Sequence, residues 1–333
     1  GNGINLGNTL EAYNHKSYVE LGVDPTSFET LWGQPVTTRD MIDDMKAMGF
    51  DTLRIPVAWT NGINYESGDY TIDERLMNRV DEVVNYALDA DMYVILNEHW
   101  DGSWWGMFGS ADEAVREKGM ALYKSMWTQI SEHFSDYSYK LIFESANEEL
   151  CHRLNDSDVT GTEGVLSEDE CYETTNRINS EFVKLVRSTG GKNADRFLLI
   201  AGYNTDFRKT CDDRYQMPED TAKDKLLLSV HYYTPWDYCS DGNAKRWGTP
   251  GDYEEQNSLF QMLTKFTDRG YGVVIGEYAV MGAANKPDRD KFYANLLDNC
   301  DLYNYCPVLW DCSDFYKRAL RKTTDENIAK LYS

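Results

Sequence analysis

The stretch Leu141–Leu150 reads LIFESANEEL. Leu141, Ile142 and Phe143 belong in a core, yet Glu144, Asn147, Glu148 and Glu149 follow at once. An apolar run this short, ending in acid, fits a strand covered on both faces whose C-terminal end opens on a polar site.

Seven other runs share that form. They are GINLGN (3–8), TLRIPV (52–57), YVILNEH (93–99), FLLIAG (197–202), LLLSVHYY (226–233), GVVIGEY (272–278) and YCPVLWD (305–311). Helical patterns separate most of them. TTRDMIDDMKAMG (37–49) offers a threonine cap, early acids, Met41, Met45 and Met48 at helical spacing, and Gly49 as a stop. Residues 74–88 align Leu76, Val80, Val83, Val84 and Ala87, and 111–134 align Met120, Tyr123, Trp127 and Ile130. Residues 174–189, 255–269, 289–299 and 317–332 also read as helices, whereas 203–225 shows no clean helix. Eight strands alternating with helices predict an α/β protein, a (β/α)8 TIM barrel formed by residues 1–333 as a single domain. The competitor is a doubly wound open sheet, which wants a glycine-rich phosphate turn after its first strand. The glycines of GNGINLGN instead run into and through the strand, and no helix follows at once.

Composition narrows the partners. A formal charge of −23 over 333 residues would repel a phosphate backbone, so nucleic acid is not expected, and a neutral substrate is favoured over a polyanion. No run of about 18 apolar residues marks a membrane span. The first residue is Gly, not Met, which suits a processed or trimmed chain from which a signal peptide has been removed. The seven cysteines form no CxxC pair; Cys151 and Cys171 bracket an acidic loop and are candidates for a bridge to each other or to a third cysteine.

In a barrel, the polar residues that break apolar runs should gather at the C-terminal strand ends. Asn8, Arg54, His99 with Trp100, Asn147 with Glu148, His231 with Tyr233, Glu277, and Trp310 with Asp311 all fall there. Glu148 and Glu277 are the decisive pair, because two carboxylates in unlike environments suit glycosidic cleavage. One holds a proton for the leaving oxygen; the other stays ionised and attacks or activates water. The plainer alternative is that each merely pairs with a barrel arginine. Arg54 would hold Glu277 ionised, Tyr233 would donate to the same carboxylate, and Asn147 offers an amide to a sugar hydroxyl. His99 and His231 suit orienting work, or are satisfied structural groups.

Five histidines without HxH or HExxH spacing speak against a metal centre, and no cofactor is expected. NDSDVTGTE (155–163) loosely resembles a calcium loop but lacks the full spacing, and reads as a solvated acidic loop. Nine Trp and 23 Tyr supply stacking surfaces for sugar rings. Trp100 and Trp104 in HWDGSWW and Trp236 in HYYTPW fall beyond strands, outside the expected core, with Trp310 as a floor. Trp59 and Trp247 either extend the groove or pack under loops, and Trp127 reads as core.

GFDTLRIPVAW, YVILNEH, FESANE, SVHYY and VVIGEY, in that order, resemble glycoside hydrolase family 5, the cellulase-type retaining barrel hydrolases. The resemblance runs from GINLGNTLEA through LWDCSD. It implies an endo-β-1,4-glucanase working by double displacement, with Glu148 as acid/base and Glu277 as nucleophile. Arg54, His99, Asn147, His231, Tyr233 and Trp310 match the family's surrounding site residues. It further implies a secreted monomer acting on a β-1,4-linked polysaccharide, free or as a module of a larger enzyme or cellulosome. Xyloglucanase, β-mannanase or xylanase activity with the same machinery is the near alternative. A carbohydrate-binding barrel without catalysis is the non-enzyme one, and it would lack one of the two glutamates.

Three departures from the family pattern bear on substrate preference more than on reaction type. Glu149 stands where many relatives have Pro, either raising the acid's pKa or pointing to solvent. Trp100 replaces a second histidine, and Cys312 takes a place often held by Asn.

Overall fold

The computed structural model describes residues 1–14, 16–64, 67–99, 104–240, 246–282 and 286–333. Eight parallel strands close into a barrel: β1 (Asn2–Asn5), β2 (Phe50–Ile55), β3 (Tyr93–Asn97), β4 (Leu141–Glu144), β5 (Leu198–Ala201), β6 (Leu226–Tyr232), β7 (Gly272–Tyr278) and β8 (Cys306–Leu309). Each falls within or beside a run named above. Closure is made by β8 on β1, with Gly3 opposite Val308.

Ile95, Ile142, Leu199, Val274 and Val308 fill the barrel interior as a compact apolar plug. Side chains alternate along a strand, so the residue two further on faces the same way. From Ile142 that step reaches Glu144; from Leu227 it reaches Ser229 and then His231. A polar layer therefore sits directly above the plug. The larger core lies between strands and helices, where Trp127 is wholly buried against Phe143 and Phe182, as its helical spacing predicts.

The outer helices are α1 (Arg39–Ala47), α2 (Glu74–Asp89), α3 (Glu113–His133), α4 (Glu168–Ser188), α5 (Pro250–Met262) and α6 (Arg289–Tyr303). Thr38 caps α1 by accepting from Met41 N. Helix α4 starts well before the expected residue 174 because Ser167 and Glu170 form a reciprocal capping box. A similar pair, Thr249 and Asp252, with Pro250 in the first turn, starts α5 before residue 255.

The expected helix over 317–332 is not formed. Tyr316–Lys317 (β9) and Lys322–Thr323 (β10) pair as an antiparallel hairpin around a short 3-10 turn, Arg318–Leu320, and only Glu326–Ala329 is α-helical. Arg321 turns the hairpin in the left-handed region (φ 52°). Asp311 draws the Phe315 and Tyr316 amides onto its carboxylate, which fixes the entry to β9. All seven cysteines are free thiols, so Cys151 and Cys171 do not form the bridge considered above. Among the described residues no helix is long and apolar enough to cross a membrane.

Candidate active site

The polar layer is organised by Arg54, which is fully buried on β2. Its Nε donates to Glu144 Oε2 at 2.8 Å and Nη2 to Glu144 Oε1 at 3.1 Å. The same Nη2 donates to Asn147 Oδ1 at 2.9 Å; Nη1 donates to Asn5 Oδ1 at 2.9 Å and to Glu277 Oε1 at 2.7 Å. Every N–H of the guanidinium is thus committed, which is what lets a charge sit at the centre of a barrel.

Glu277 receives a second hydrogen bond, from the Tyr233 hydroxyl at 2.8 Å. Burial and the neighbouring carboxylates hold that phenol well above its usual pKa, so it remains a donor. Glu148 stands apart from the arginine. Its side chain is 27% exposed against 7% for Glu277. Loss of hydration raises its pKa, with Arg153 and Arg54 opposing. Its Oε1 lies 2.8 Å from His231 Nδ1, which is also 3.6 Å from Glu277 Oε2. Burial drives His231 down to about 4, so the ring is neutral near pH 7 and meets Glu148 as a hydrogen-bond partner rather than an ion.

One ligating atom from each of Glu148, His231 and Glu277 lies within 4.8 Å of the others. The two carboxylates therefore face one small space, one hydrogen-bonded to a cation and one whose pKa burial pushes up. A cation in that space would compete with the guanidinium already paired to Glu277 at 2.7 Å, so the donor set does not fit a dedicated metal centre.

The other expected residues divide. His99 is buried, 3.1 Å from Asn97 Nδ2 through Nδ1, and lies parallel to the Trp310 ring at 6.1 Å between centroids. Asn147 shows its oxygen to Arg54, while its backbone amide donates to Glu149 Oε2 at 2.9 Å. Glu149 thus neither points to solvent nor crowds Glu148; it is buried under the loop it braces. Asn8 follows β1 in the left-handed region (φ 57°), with its backbone N–H donating to Glu11. The contacts that join β1 to the site come from Asn5 instead. Trp310 and Trp236 both line an open cleft of about 860 Å³, together with Gln34, Cys312, Ser313 and Lys317. Trp236 is 62% exposed.

Trp104 is not at the cleft surface. It is buried, stacked on Trp105 at 4.3 Å and packed against Phe108 and Tyr123. The 149–166 excursion covers this aromatic group, with Leu150, Cys151 and Leu154 buried beneath it. Gly106 allows the approach, since a Cβ there would lie 1.8 Å from Asp156 O. Trp59 is likewise interior, donating to Asn97 O at 2.8 Å, and Trp247 packs on Tyr253 and Phe292. Trp100 lies outside the described residues.

Asn5, Glu144 and Ser229 escaped the sequence reading. Ser229 donates to Glu144 Oε1 at 3.1 Å, completing the partners of that carboxylate. Strand alternation from Ile142 places Glu144 inside, a signal weaker than the carboxylate at the strand end.

Residues 16–315 match the family model "Cellulase (glycosyl hydrolase family 5)". Endoglucanase A of Paenibacillus barcinonensis is 33% identical over 93% of this chain and 80% of its own length. A xyloglucan-specific endo-β-1,4-glucanase of Bacteroides ovatus is 31% identical over 97% of this chain, which spans 65% of that relative. Among solved structures, a broad-specificity endoglucanase from an uncultured bovine rumen ciliate superposes with a TM-score of 0.84 at 31% identity, covering 100% of this chain and 94% of that one. A closed eight-stranded barrel, a paired set of carboxylates at its mouth and a family match over nearly its whole length lead to one conclusion: the chain belongs to glycosyl hydrolase family 5 and is a glycoside hydrolase.

Proposed function

We propose that residues 1–333 form one catalytic domain of a secreted, retaining endo-β-1,4-glucanase. In the first step a Glu277 oxygen attacks the anomeric carbon while Glu148 gives its proton to the departing glycosidic oxygen. A glycosyl ester on Glu277 and a shortened chain with a free hydroxyl result. In the second step Glu148, now a carboxylate, takes a proton from water as that water attacks the same carbon, and Glu277 leaves. The configuration is inverted twice and so retained.

The observation that carries this reading is the approach of Glu148 and Glu277 oxygens within 4.8 Å in opposite electrostatic settings. Retention asks for carboxyls about 5–5.5 Å apart, and inversion for roughly 6.5–9.5 Å, to leave room for water. Arg54 and Tyr233 hold the attacking carboxylate, and His231 orients the acid. Asn147 reaches a sugar hydroxyl with its NH2 group, and Trp310 and Trp236 stack on pyranose rings, with His99 beneath Trp310.

A second reading, xyloglucan cleavage, is favoured by small residues on the cleft wall. Gly33, Ser313 and Ala319 leave room for branches. The Bacteroides ovatus relative is named for that substrate. Relatives longer than this chain also support a module within a larger enzyme.

The test is hydrolysis of soluble β-1,4-glucan by Glu148→Gln and Glu277→Gln, each checked for a native fold. Glu148→Gln should lose roughly 10²–10⁴-fold, with partial recovery on an aryl glycoside whose leaving group needs little protonation. Glu277→Gln should lose at least as much and recover on neither substrate. Undiminished cleavage by either variant overturns the assignment. Product sizes over time on barley glucan, xyloglucan, glucomannan and xylan separate the two substrate readings.

A further inference from the structure

Beside the loops that follow β1 and β8 lies another buried arginine that the chemistry above does not use. Arg318 follows β9 in the C-terminal hairpin and is 1% exposed. Its Nη1 donates to Gly7 O at 2.9 Å and to Thr9 Oγ1 at 2.8 Å, and its Nη2 donates to Asp311 O at 2.6 Å. Those acceptors sit just past β1 and β8, the two strands whose pairing closes the barrel. Gly7 N also donates to Asp311 O at 2.9 Å, so one carbonyl receives both the amide and the guanidinium. Compensating charge is near: Asp311 Oδ2 is 3.9 Å away, and Glu11 binds the Asn8 and Thr9 amides.

The clamped segments carry the cleft floor. Trp310 directly precedes Asp311, and its own N–H is held by Tyr278 O at 3.0 Å. Its ring lies against Gly7: a Cβ at that glycine would meet Trp310 Cζ2 at 2.9 Å, Cη2 at 3.0 Å and Asp311 O at 2.6 Å. On the cleft side, Gln34 donates to Cys312 O at 2.9 Å and accepts from the Ser313 hydroxyl at 2.6 Å. Ring, glycine backbone and carbonyl are packed with no slack, so the height of the indole follows the spacing between the two strand exits. Arg318 bridges the two exits and so sets that spacing.

We propose that Arg318 is a positioning residue for sugar binding, acting through the Gly7 and Asp311 carbonyls to fix the Trp310 platform relative to His99 and the two glutamates. This rests on Trp310 being a sugar-stacking surface. A lysine has the charge but not the planar fork that reaches both exits. Moving an aromatic platform weakens binding of a chain that spans it more than it slows chemistry on a chain already bound.

The experiment compares the wild type with Arg318→Met, Arg318→Lys, Thr9→Val and Gly7→Ala, measuring KM, kcat and melting temperature on soluble β-glucan. Binding of cellotetraose is followed in parallel by tryptophan fluorescence, in Glu277→Gln versions of the same proteins. Arg318→Met should raise KM and the cellotetraose Kd on the order of tenfold while kcat changes less than about threefold; Arg318→Lys should fall between it and wild type. Thr9→Val removes one acceptor of Arg318 and the hydroxyl's own bond to Gly7 O, and should raise both constants about threefold with a smaller fall in melting temperature than Arg318→Met. It keeps the test open if Arg318→Met does not fold, as does Gly7→Ala, which should show the same KM-dominated loss. Unchanged KM and Kd in Thr9→Val and Gly7→Ala, with or without a lower melting temperature in Arg318→Met, would make Arg318 a barrel staple only and overturn the proposal. Failure of the wild type to cleave β-1,4-glucan would instead count against the functional reading, and the fluorescence titration distinguishes the two.

Discussion

Arg54 shows how one residue divides labour between two glutamates that look alike in sequence. Its donors reach Glu277 directly and Glu148 not at all, so one carboxylate is held by charge-assisted hydrogen bonds while the other is left to burial. Activity should therefore be bell-shaped in pH. The alkaline limb comes from loss of the Glu148 proton. Because burial raises the Glu148 pKa, the alkaline limb should lie above the range of an ordinary glutamate. Tyr233→Phe removes the second hydrogen bond to Glu277 without touching the arginine. We expect it to lower kcat roughly 10–100-fold, from a loss of about 1.5–3 kcal/mol, with little change in melting temperature. A kcat within a factor of two of wild type would show that the phenol does not support the nucleophile.

At the scale of elements, the 149–166 excursion decides which tryptophans can meet substrate. It lies over the segment after β3, turning Trp104 and Trp105 into core and leaving Trp236, after β6, at the cleft. Trp104→Ala should cost about 3–5 kcal/mol of stability, seen in urea unfolding. Trp236→Ala should leave unfolding unchanged and raise KM a few-fold, within the roughly 1 kcal/mol typical of an exposed stacking contact. The reverse pattern would place Trp104, not Trp236, against the sugar. The helix boundaries that the sequence misplaced have local causes. The capping pairs Ser167–Glu170 and Thr249–Asp252 start α4 and α5 early, and both were legible in the sequence as capping signals. The C-terminal hairpin was not, because its entry depends on Asp311 accepting the Phe315 and Tyr316 amides and on Arg318 reaching the Gly7 carbonyl at the far end of the sequence.

The whole molecule combines a dense barrel with a charge of −23. Its cysteines form no bridges: Cys151, Cys171, Cys239 and Cys300 are buried free thiols, and burial raises the Cys151 thiol to about 12. Melting temperature and activity should be indifferent to a reducing agent, and all seven thiols should react with a chromogenic disulfide once the chain is denatured. Fewer than seven, restored by prior reduction, would reveal a bridge.

Strand number, barrel class and the pair Glu148 and Glu277 were determined by the sequence itself, because apolar runs and their polar ends are local patterns set by burial on both faces. Asn5 and Glu144 as partners of Arg54, the exclusion of Trp104 and Trp59 from the cleft, and the buried Arg318 clamp were decided only by tertiary structure. Each depends on which distant segment covers or faces a residue, and closure of the ring, β8 against β1, is the step that brings those segments together.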